Sequence, residues 1–223
     1  MPTVLISAND TGVGKTWVSA AIARLLVGQG ATVQKVKPVE TGIEAGGHGD
    51  AEFVHQALQD KATLPGKASV HTLRRFTKPM APVEAAREDG AELCFDELVR
   101  EIDKLPDCDW RIVEGAGGLC VPLEGGSTPR DWADFALAIK ADYVVLVVQD
   151  RLGAINQARL LAHYAGAKGL KAGWWLNEAQ PDTPNDIRIV NNDVLEQLAF
   201  PLWAVQDYGV DLPRRLEASW LTW

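Results

Sequence analysis

Short apolar runs alternate along this chain with stretches of helical period. The runs are TVLIS (3–7), TVQKVKPV (32–39), WRIVEG (110–115), YVVLVV (143–148), LKAGWWLN (170–177) and PLWAV (201–205). Their shortness, their β-branched and aromatic content and their flanking turn residues predict buried strands. Between the first two, Val18, Ala21, Ile22, Leu25 and Leu26 recur at i, i+3, i+4, i+7 and i+8. That spacing puts one apolar face on a helix that stops near Gly28 or Gly30. Further helices are predicted over 95–105, 130–140, 154–168 and 185–199. Strand and helix therefore alternate throughout, which predicts an α/β fold: one domain spanning 1–223, with a parallel sheet covered by helices on both faces. The pieces TGIEAGGHGD (41–50) and EGGSTP (124–129) read as loops after strands, at the end of a parallel sheet where ligands bind.

Composition narrows the class of partner. A formal net charge of -8 on 223 residues argues against nucleic acid, because a phosphate backbone calls for clustered Lys and Arg. Cys94, Cys108 and Cys120 have neither C-x-x-C spacing nor a nearby His cluster, so free thiols in a reducing compartment are expected. The first eight residues lack a basic start and a long apolar core, and YVVLVV is too short to span a bilayer. The expectation is a cytoplasmic protein without a membrane partner, acting on a small molecule.

The candidate chemistry begins at SANDTGVGKTWVSAA (7–21). Gly14-Lys15-Thr16 ends a phosphate-binding loop of the G-x-x-x-x-G-K-[ST] type, but the leading glycine of that pattern falls on Asn9. A strand precedes the loop and an amphipathic helix follows it, the setting of a P-loop nucleotide-binding fold. Gly12 and Gly14 let the backbone around Val13 curl so that successive N–H groups converge on an anion at a helix N-terminus. Lys15 is expected to reach the β- and γ-phosphates of ATP, and the Thr16 hydroxyl to hold Mg2+.

Three further stretches bear on the site. Lys37 and Thr41 lie in VKPVETG at the ligand end of the second strand, where a lysine is ordinarily just solvated. Glu114 ends the strand at 110–114 and precedes GAGG; its carboxylate is a candidate magnesium ligand, and Gly117 and Gly118 allow a substrate close to the backbone. Asp50 follows GGHG and precedes AEFVHQAL, which suits a helix N-cap as well as it suits a metal ligand.

In series, NDTGVGKT, KPVETG, KPMAPVEAAREDG (78–90), VEGAGG, DRLGAINQA (150–158) and GWWLN (173–177) resemble the dethiobiotin synthetase family along nearly the whole chain. In that family the loop runs G-x-x-x-x-x-G-K-T with an internal D-T pair, here Asp10-Thr11, so its leading glycine aligns with Ala8. The resemblance implies ATP-dependent carboxylation of 7,8-diaminopelargonic acid with CO2 or bicarbonate, then ring closure to dethiobiotin, ADP and phosphate. It implies Lys37 as the cation that meets the nascent carbamate, with Thr41 contacting the diamine. Lys15 and Thr11 would act at the phosphates; Thr16, Asp50 and Glu114 would hold magnesium. It also implies a homodimer in which the helix start at Gly153, Ala154 and Asn156 completes the partner's substrate site through free N–H groups and an amide. Asn177 matches a purine-contacting position, but EAQPD after it and AVQD (204–207) depart from the family pattern.

Rival readings are a partitioning or site-selection ATPase, a cobyrinate synthetase-type amidotransferase, and a non-catalytic regulatory module of the same family. The first calls for a second lysine in the loop, where this chain has Asp10-Thr11-Gly12. The second calls for a glutaminase domain with a nucleophilic Cys, for which the chain leaves no room. The third is opposed by the intact set Lys37, Asp50 and Glu114.

Overall fold

A computed structural model describes residues 1–44, 46–59 and 64–221. The chain runs β1 (Thr3–Ala8), α1 (Lys15–Gly28), β2 (Thr32–Thr41), α2 (Asp50–Gln59), β3 (Lys67–Phe76), α3 (Pro82–Glu88) and α4 (Phe95–Asp103). It continues through β4 (Trp110–Glu114), α5 (Trp132–Ala138), β5 (Tyr143–Gln149), α6 (Ala154–Ala167), β6 (Ala172–Asn177), α7 (Asn185–Leu195), β7 (Leu202–Gln206) and β8 (Arg215–Leu216). One sheet holds all eight strands in the order β3-β2-β4-β1-β5-β6-β7-β8, parallel except for β8. No helix among the described residues is long and apolar enough to cross a membrane.

Both faces of the sheet are buried, which is why its strands read as continuous apolar runs. Side chains alternate across it: Leu5 of β1 packs with Phe135, Ala158 and Leu195 on one face. Val4 and Ile6 pack with Val18, Ile22 and Val54 of α1 and α2 on the other. The adjacent Trp174 and Trp175 split between the two layers.

The predicted strands are all present, with ends shifted by a few residues. β3 and β8 were not anticipated. β3, KASVHTLRRF, lies at the sheet edge beside β2 and is only half buried, so its charged residues mask the apolar signal. The helix expected over 130–140 starts later because the Asp131 carboxylate accepts from the N–H groups of Ala133 and Asp134, at 2.8 and 3.2 Å, and caps Trp132–Ala138. α4 stops at Asp103 rather than 105, since Leu105 precedes Pro106 and is disfavoured from helical geometry. The helix expected over 185–199 ends at Leu195, where the chain turns toward β7.

Ala8 explains how the loop dispenses with its leading glycine. It is the last residue of β1, wholly buried, and its methyl belongs to the core shared with α1 and α2. Its φ is not positive, so nothing there demands glycine.

Candidate active site

The carboxyl ends of β1, β2 and β4 converge on a cavity of about 360 Å³ that Thr11, Gly12, Gly14, Lys15 and Thr16 line from the phosphate loop. Lys37 and Thr41 line it from β2, Asp50 from the start of α2, and Glu114 and Gly117 from the end of β4. Gly14 caps α1 in the left-handed region, at φ 95°. Lys15 is buried and donates to the Asp10 carbonyl at 2.8 Å. Its pKa is pushed down to about 8, first by burial and then by the neighbouring Lys37.

Glu114 is the hub. It is 0% exposed, and its Oε1 accepts from Lys37 Nζ at 2.7 Å and from the Thr16 hydroxyl at 2.9 Å. Its Oε2 accepts from the Ser19 hydroxyl at 2.9 Å and lies 3.2 Å from Lys35 Nζ. Burial alone would raise its pKa, but Lys35 and Lys37 outweigh that and hold it well below the ordinary carboxylate range. Lys37 Nζ also lies 2.5 Å from Asp50 Oδ2. Burial works against its charge, yet Glu114 and Asp50 prevail and raise its pKa. Lys37 is thus no solvated strand end: 3% exposed, it bridges two carboxylates inside the cavity.

Asp50 is not the helix cap that its position permitted. It is the first helical residue of α2, its N–H donates to the buried Glu40 carboxylate, and its side chain turns to Lys37. The Asp50 and Glu114 carboxylates both engage the Lys37 ammonium and the Thr16 hydroxyl donates to Glu114, so three oxygen groups stand together. Such a set fits magnesium, which prefers one or two carboxylates with phosphate oxygens completing its shell.

A second cavity, of about 300 Å³, shares Gly12 and Gly14 with the first and is walled by Trp17, Asn177, Glu178 and Tyr208. Asn177 is buried; its Nδ2 donates to the Val13 carbonyl at 2.8 Å, while its Oδ1 has no hydrogen-bond partner. The Gln206 side chain of AVQD is engaged elsewhere, accepting from Trp175 Nε1 at 3.0 Å and donating to the Val210 carbonyl at 2.8 Å.

Some expected residues lie outside the main cavity. Gly118 does not line it but packs close to β1: a Cβ there would lie 3.1 Å from the Asn9 carbonyl oxygen. The loop 124–129 is also displaced: Glu124 and Gly125 line a different cavity with Arg130 and Cys94. Gly153, Ala154 and Asn156 begin α6 away from Lys37, with Gly153 capping it at φ 94° and Asn156 exposed. The Ala154 N–H is not free, since it donates to the Arg151 carbonyl at 3.1 Å.

Sequence reasoning missed Ser19, Lys35 and Glu40. Ser19 stands one turn after Thr16 on α1, and Lys35 stands two residues before Lys37 on β2, so each falls on the face of a recognised neighbour. Glu40 sits inside KPVETG itself. Buried and 3.2 Å from Arg75 Nε, it fixes the start of α2 through the Asp50 N–H. Trp17 and Tyr208 were missed because only the folded chain brings α1 and the segment after β7 together.

Parallel sheet, glycine loop at a helix N-terminus and buried lysine define a P-loop nucleotide-binding protein. A family model described as an AAA domain matches residues 2–197. Among solved structures, the chain is similar to a plasmid partition protein from Borrelia burgdorferi, 11% identical, covering 92% of this chain and 88% of that one at a TM-score of 0.54. It is likewise similar to the MinD cell division protein of Aquifex aeolicus, 14% identical, covering 92% and 81% at a TM-score of 0.52. At such identities the likeness concerns the fold alone. Full-length sequence similarity is more specific. The ATP-dependent dethiobiotin synthetase of Frankia casuarinae is 37% identical over 97% of this chain and 88% of its own. That of Xanthomonas axonopodis pv. citri is 35% identical over 96% and 99%, and that of Mycobacterium avium 37% over 94% and 88%. The chain belongs to the ATP-dependent dethiobiotin synthetase family, which are ligases of biotin biosynthesis.

Proposed function

We propose that the cavity at the phosphate loop carboxylates 7,8-diaminopelargonic acid and closes the product to dethiobiotin at the expense of ATP. The observation that carries the reading is Lys37, a buried ammonium held between Glu114 and Asp50 beside the Lys15-Thr16 loop. Each step of the reaction demands a different device from these residues.

When a neutral amine of the substrate attacks CO2, an N–C bond forms as one C=O π bond opens, a proton is lost from nitrogen, and a carboxylate develops on the new carbamate. Lys37 meets that charge from a water-poor position, and its raised pKa keeps it cationic. Its bonds to Glu114 and Asp50 keep the ammonium protonated and orient it. Thr41, at the end of β2, supplies a hydroxyl to the diamine, and Gly117 lets the chain approach it closely.

The carbamate oxygen then attacks the γ-phosphorus of ATP, forming a carbamic-phosphoric anhydride and releasing ADP. Two anions must be brought together, so positive groups at the phosphates dominate. Lys15, Thr11 and the N–H groups of residues 12–16 contribute these at the loop. Thr16, Asp50 and Glu114 would hold magnesium, which would supply charge neutralisation at the phosphates. The base of ATP occupies the second cavity, where Asn177 Oδ1 offers a free acceptor.

Ring closure is intramolecular: the second amine attacks the anhydride carbon, phosphate leaves, and a proton is lost from nitrogen. Holding the chain in place suffices for most of this step. The far carboxylate of the substrate is assigned to the α6 start of a partner subunit, around Gly153 and Asn156. The exposed Leu152 and Leu160 flank that start and suit burial against a second copy.

The direct test is ADP release with and without the diamine and bicarbonate, with dethiobiotin measured alongside. Turnover should require both and yield ADP and dethiobiotin one to one. ADP release indifferent to the diamine would overturn the reading.

A further inference from the structure

Lys35 has no part in the chemistry above, yet it is among the most buried charges in the protein. It is 1% exposed, does not line the cavity, and its Nζ makes no hydrogen bond, although it lies 3.2 Å from Glu114 Oε2. Burial works against its charge and lowers its pKa while Glu114 pulls the other way, so holding an ammonium there is costly to the fold. Glu114 already has Lys37, Thr16 and Ser19 as donors, so it does not need Lys35 to be satisfied.

What Lys35 changes is the charge and division of labour of Glu114. The two carboxylate oxygens face different groups: Oε1 faces Thr16 and Lys37, while Oε2 faces Ser19 and Lys35. Only the first pair belongs to the cavity lining. Resting on the magnesium reading of Thr16, Asp50 and Glu114, we propose that Lys35 is a positioning residue that keeps Glu114 Oε2 on the Ser19 side and reduces the negative charge felt by the bound cation. Its consequence is a deliberately moderate hold on the divalent ion. Two full carboxylates together with a nucleotide bind such an ion more tightly than one, and an ammonium ion-paired to Glu114 from behind opposes this.

The test measures Mn2+ binding by electron paramagnetic resonance in the presence of saturating AMP-PNP, on the intact protein. Removing the charge in Lys35→Met should tighten Mn2+ binding about tenfold, as expected for deleting a unit charge close behind a ligand of a divalent ion. Thermal stability of the variant should hold or rise, because burial opposes the Lys35 charge and Glu114 keeps Lys37, Thr16 and Ser19 as donors after it is gone. A merely structural lysine would give the opposite pair, lower stability and unaltered cation affinity. Lys35→Gln removes the same charge by a different shape and should also tighten binding. Affinity within twofold of the unmodified protein, in either variant that folds, overturns the proposal; failure of both to fold overturns it too, since Lys35 would then be a structural prop. Glu114→Gln measured alongside separates the two inferences: if it leaves Mn2+ affinity unchanged, the magnesium reading itself fails.

Discussion

A Cβ placed on Gly14 would lie 2.2 Å from Asn177 Nδ2, so the phosphate loop and the end of β6 are in direct contact at a point where no larger residue fits. Gly14 also occupies the left-handed region as the cap of α1, and Asn177 Nδ2 holds the Val13 carbonyl of the same loop. The cavity at the phosphate loop and the one walled by Trp17 and Tyr208 are therefore joined through one glycine and one amide. Gly14→Ala is expected to lose most ATP affinity through clash and strain together. Asn177→Ala should cost about 1–3 kcal/mol of ATP binding, the scale of a lost buried hydrogen-bonding group. Calorimetric titration with AMP-PNP checks both; a Gly14→Ala protein that binds normally would show that the loop can move away from Asn177.

Glu114 is a buried counter-charge as well as a proposed metal ligand, and its replacement should reveal this. Taken as a strand-end acid, Glu114→Gln would leave the fold nearly untouched. In the structure the carboxylate is the buried counter-charge to both Lys35 and Lys37, so removing it strands two ammonium groups. Loss of one member of a buried charge pair typically costs about 3–5 kcal/mol. Denaturant unfolding should show a loss of this order, together with loss of turnover and of magnesium dependence. Unchanged stability would mean that the lysines deprotonate or rearrange freely.

Lys15 gives a pH dependence with a defined sign. Its pKa of about 8 in the free protein means that raising pH through that value removes the proton and the positive charge that ATP phosphates need. Bound triphosphate favours the protonated lysine and restores the charge. kcat/KM for ATP should therefore fall above pH about 8, while kcat persists to higher pH. A pH profile in which both quantities fall together near 8 would place the titrating group in the bound complex instead.

The shared-site reading predicts complementation. Asn156→Ala and Lys37→Ala subunits are each inactive in a dimer that borrows the α6 start across its interface. Mixing them yields hybrids with one site carrying both intact residues, so activity should recover to about a quarter of the unmodified level at equal mixing, given random statistical exchange in a two-fold dimer. Sedimentation reports the oligomer, and an affinity tag on one of the two variants reports subunit exchange. Recovery absent despite exchange would place both residues in one subunit's site.

How much of this was legible in the chain depends on where each signal lay. Strands buried on both faces announce themselves as apolar runs, so β1, β4 and β5 were plain, whereas edge strand β3 carries Lys67, Arg74 and Arg75 and was not. Lys15, Thr16, Lys37 and Glu114 stood at strand ends and in a glycine loop, and they do meet. Ser19, Lys35 and Glu40 share faces with those residues, but their importance comes from burial, which periodicity does not reveal at a polar position. Asp50 shows the limit most clearly. A residue before a helical run can cap it or turn away, and the outcome was decided by Glu40 taking the N–H and Lys37 taking the side chain.

In the proposed reaction Lys37 is what distinguishes this site from generic ATP hydrolysis, because Lys15 would contact phosphates in any protein with such a loop. In Lys37→Gln the cavity keeps Lys15 and the loop N–H groups, so ATP binding should change little. Carbamate formation should suffer, since the charge that develops when CO2 joins the diamine has lost its preorganised partner; such losses typically lower rates about 10²- to 10³-fold. The substitution also leaves Asp50 and Glu114 without the ammonium that links them, at 2.5 and 2.7 Å, so stability must be measured alongside. The decisive experiment is a single turnover with carbamate preformed from the diamine and concentrated bicarbonate. A role confined to carbamate formation predicts that preformed carbamate restores most of the lost rate, while free diamine and dilute CO2 do not. An equal deficit under both conditions would move Lys37 to phosphoryl transfer or ring closure, where its bond to Glu114 would couple it to the proposed magnesium ligands rather than to CO2.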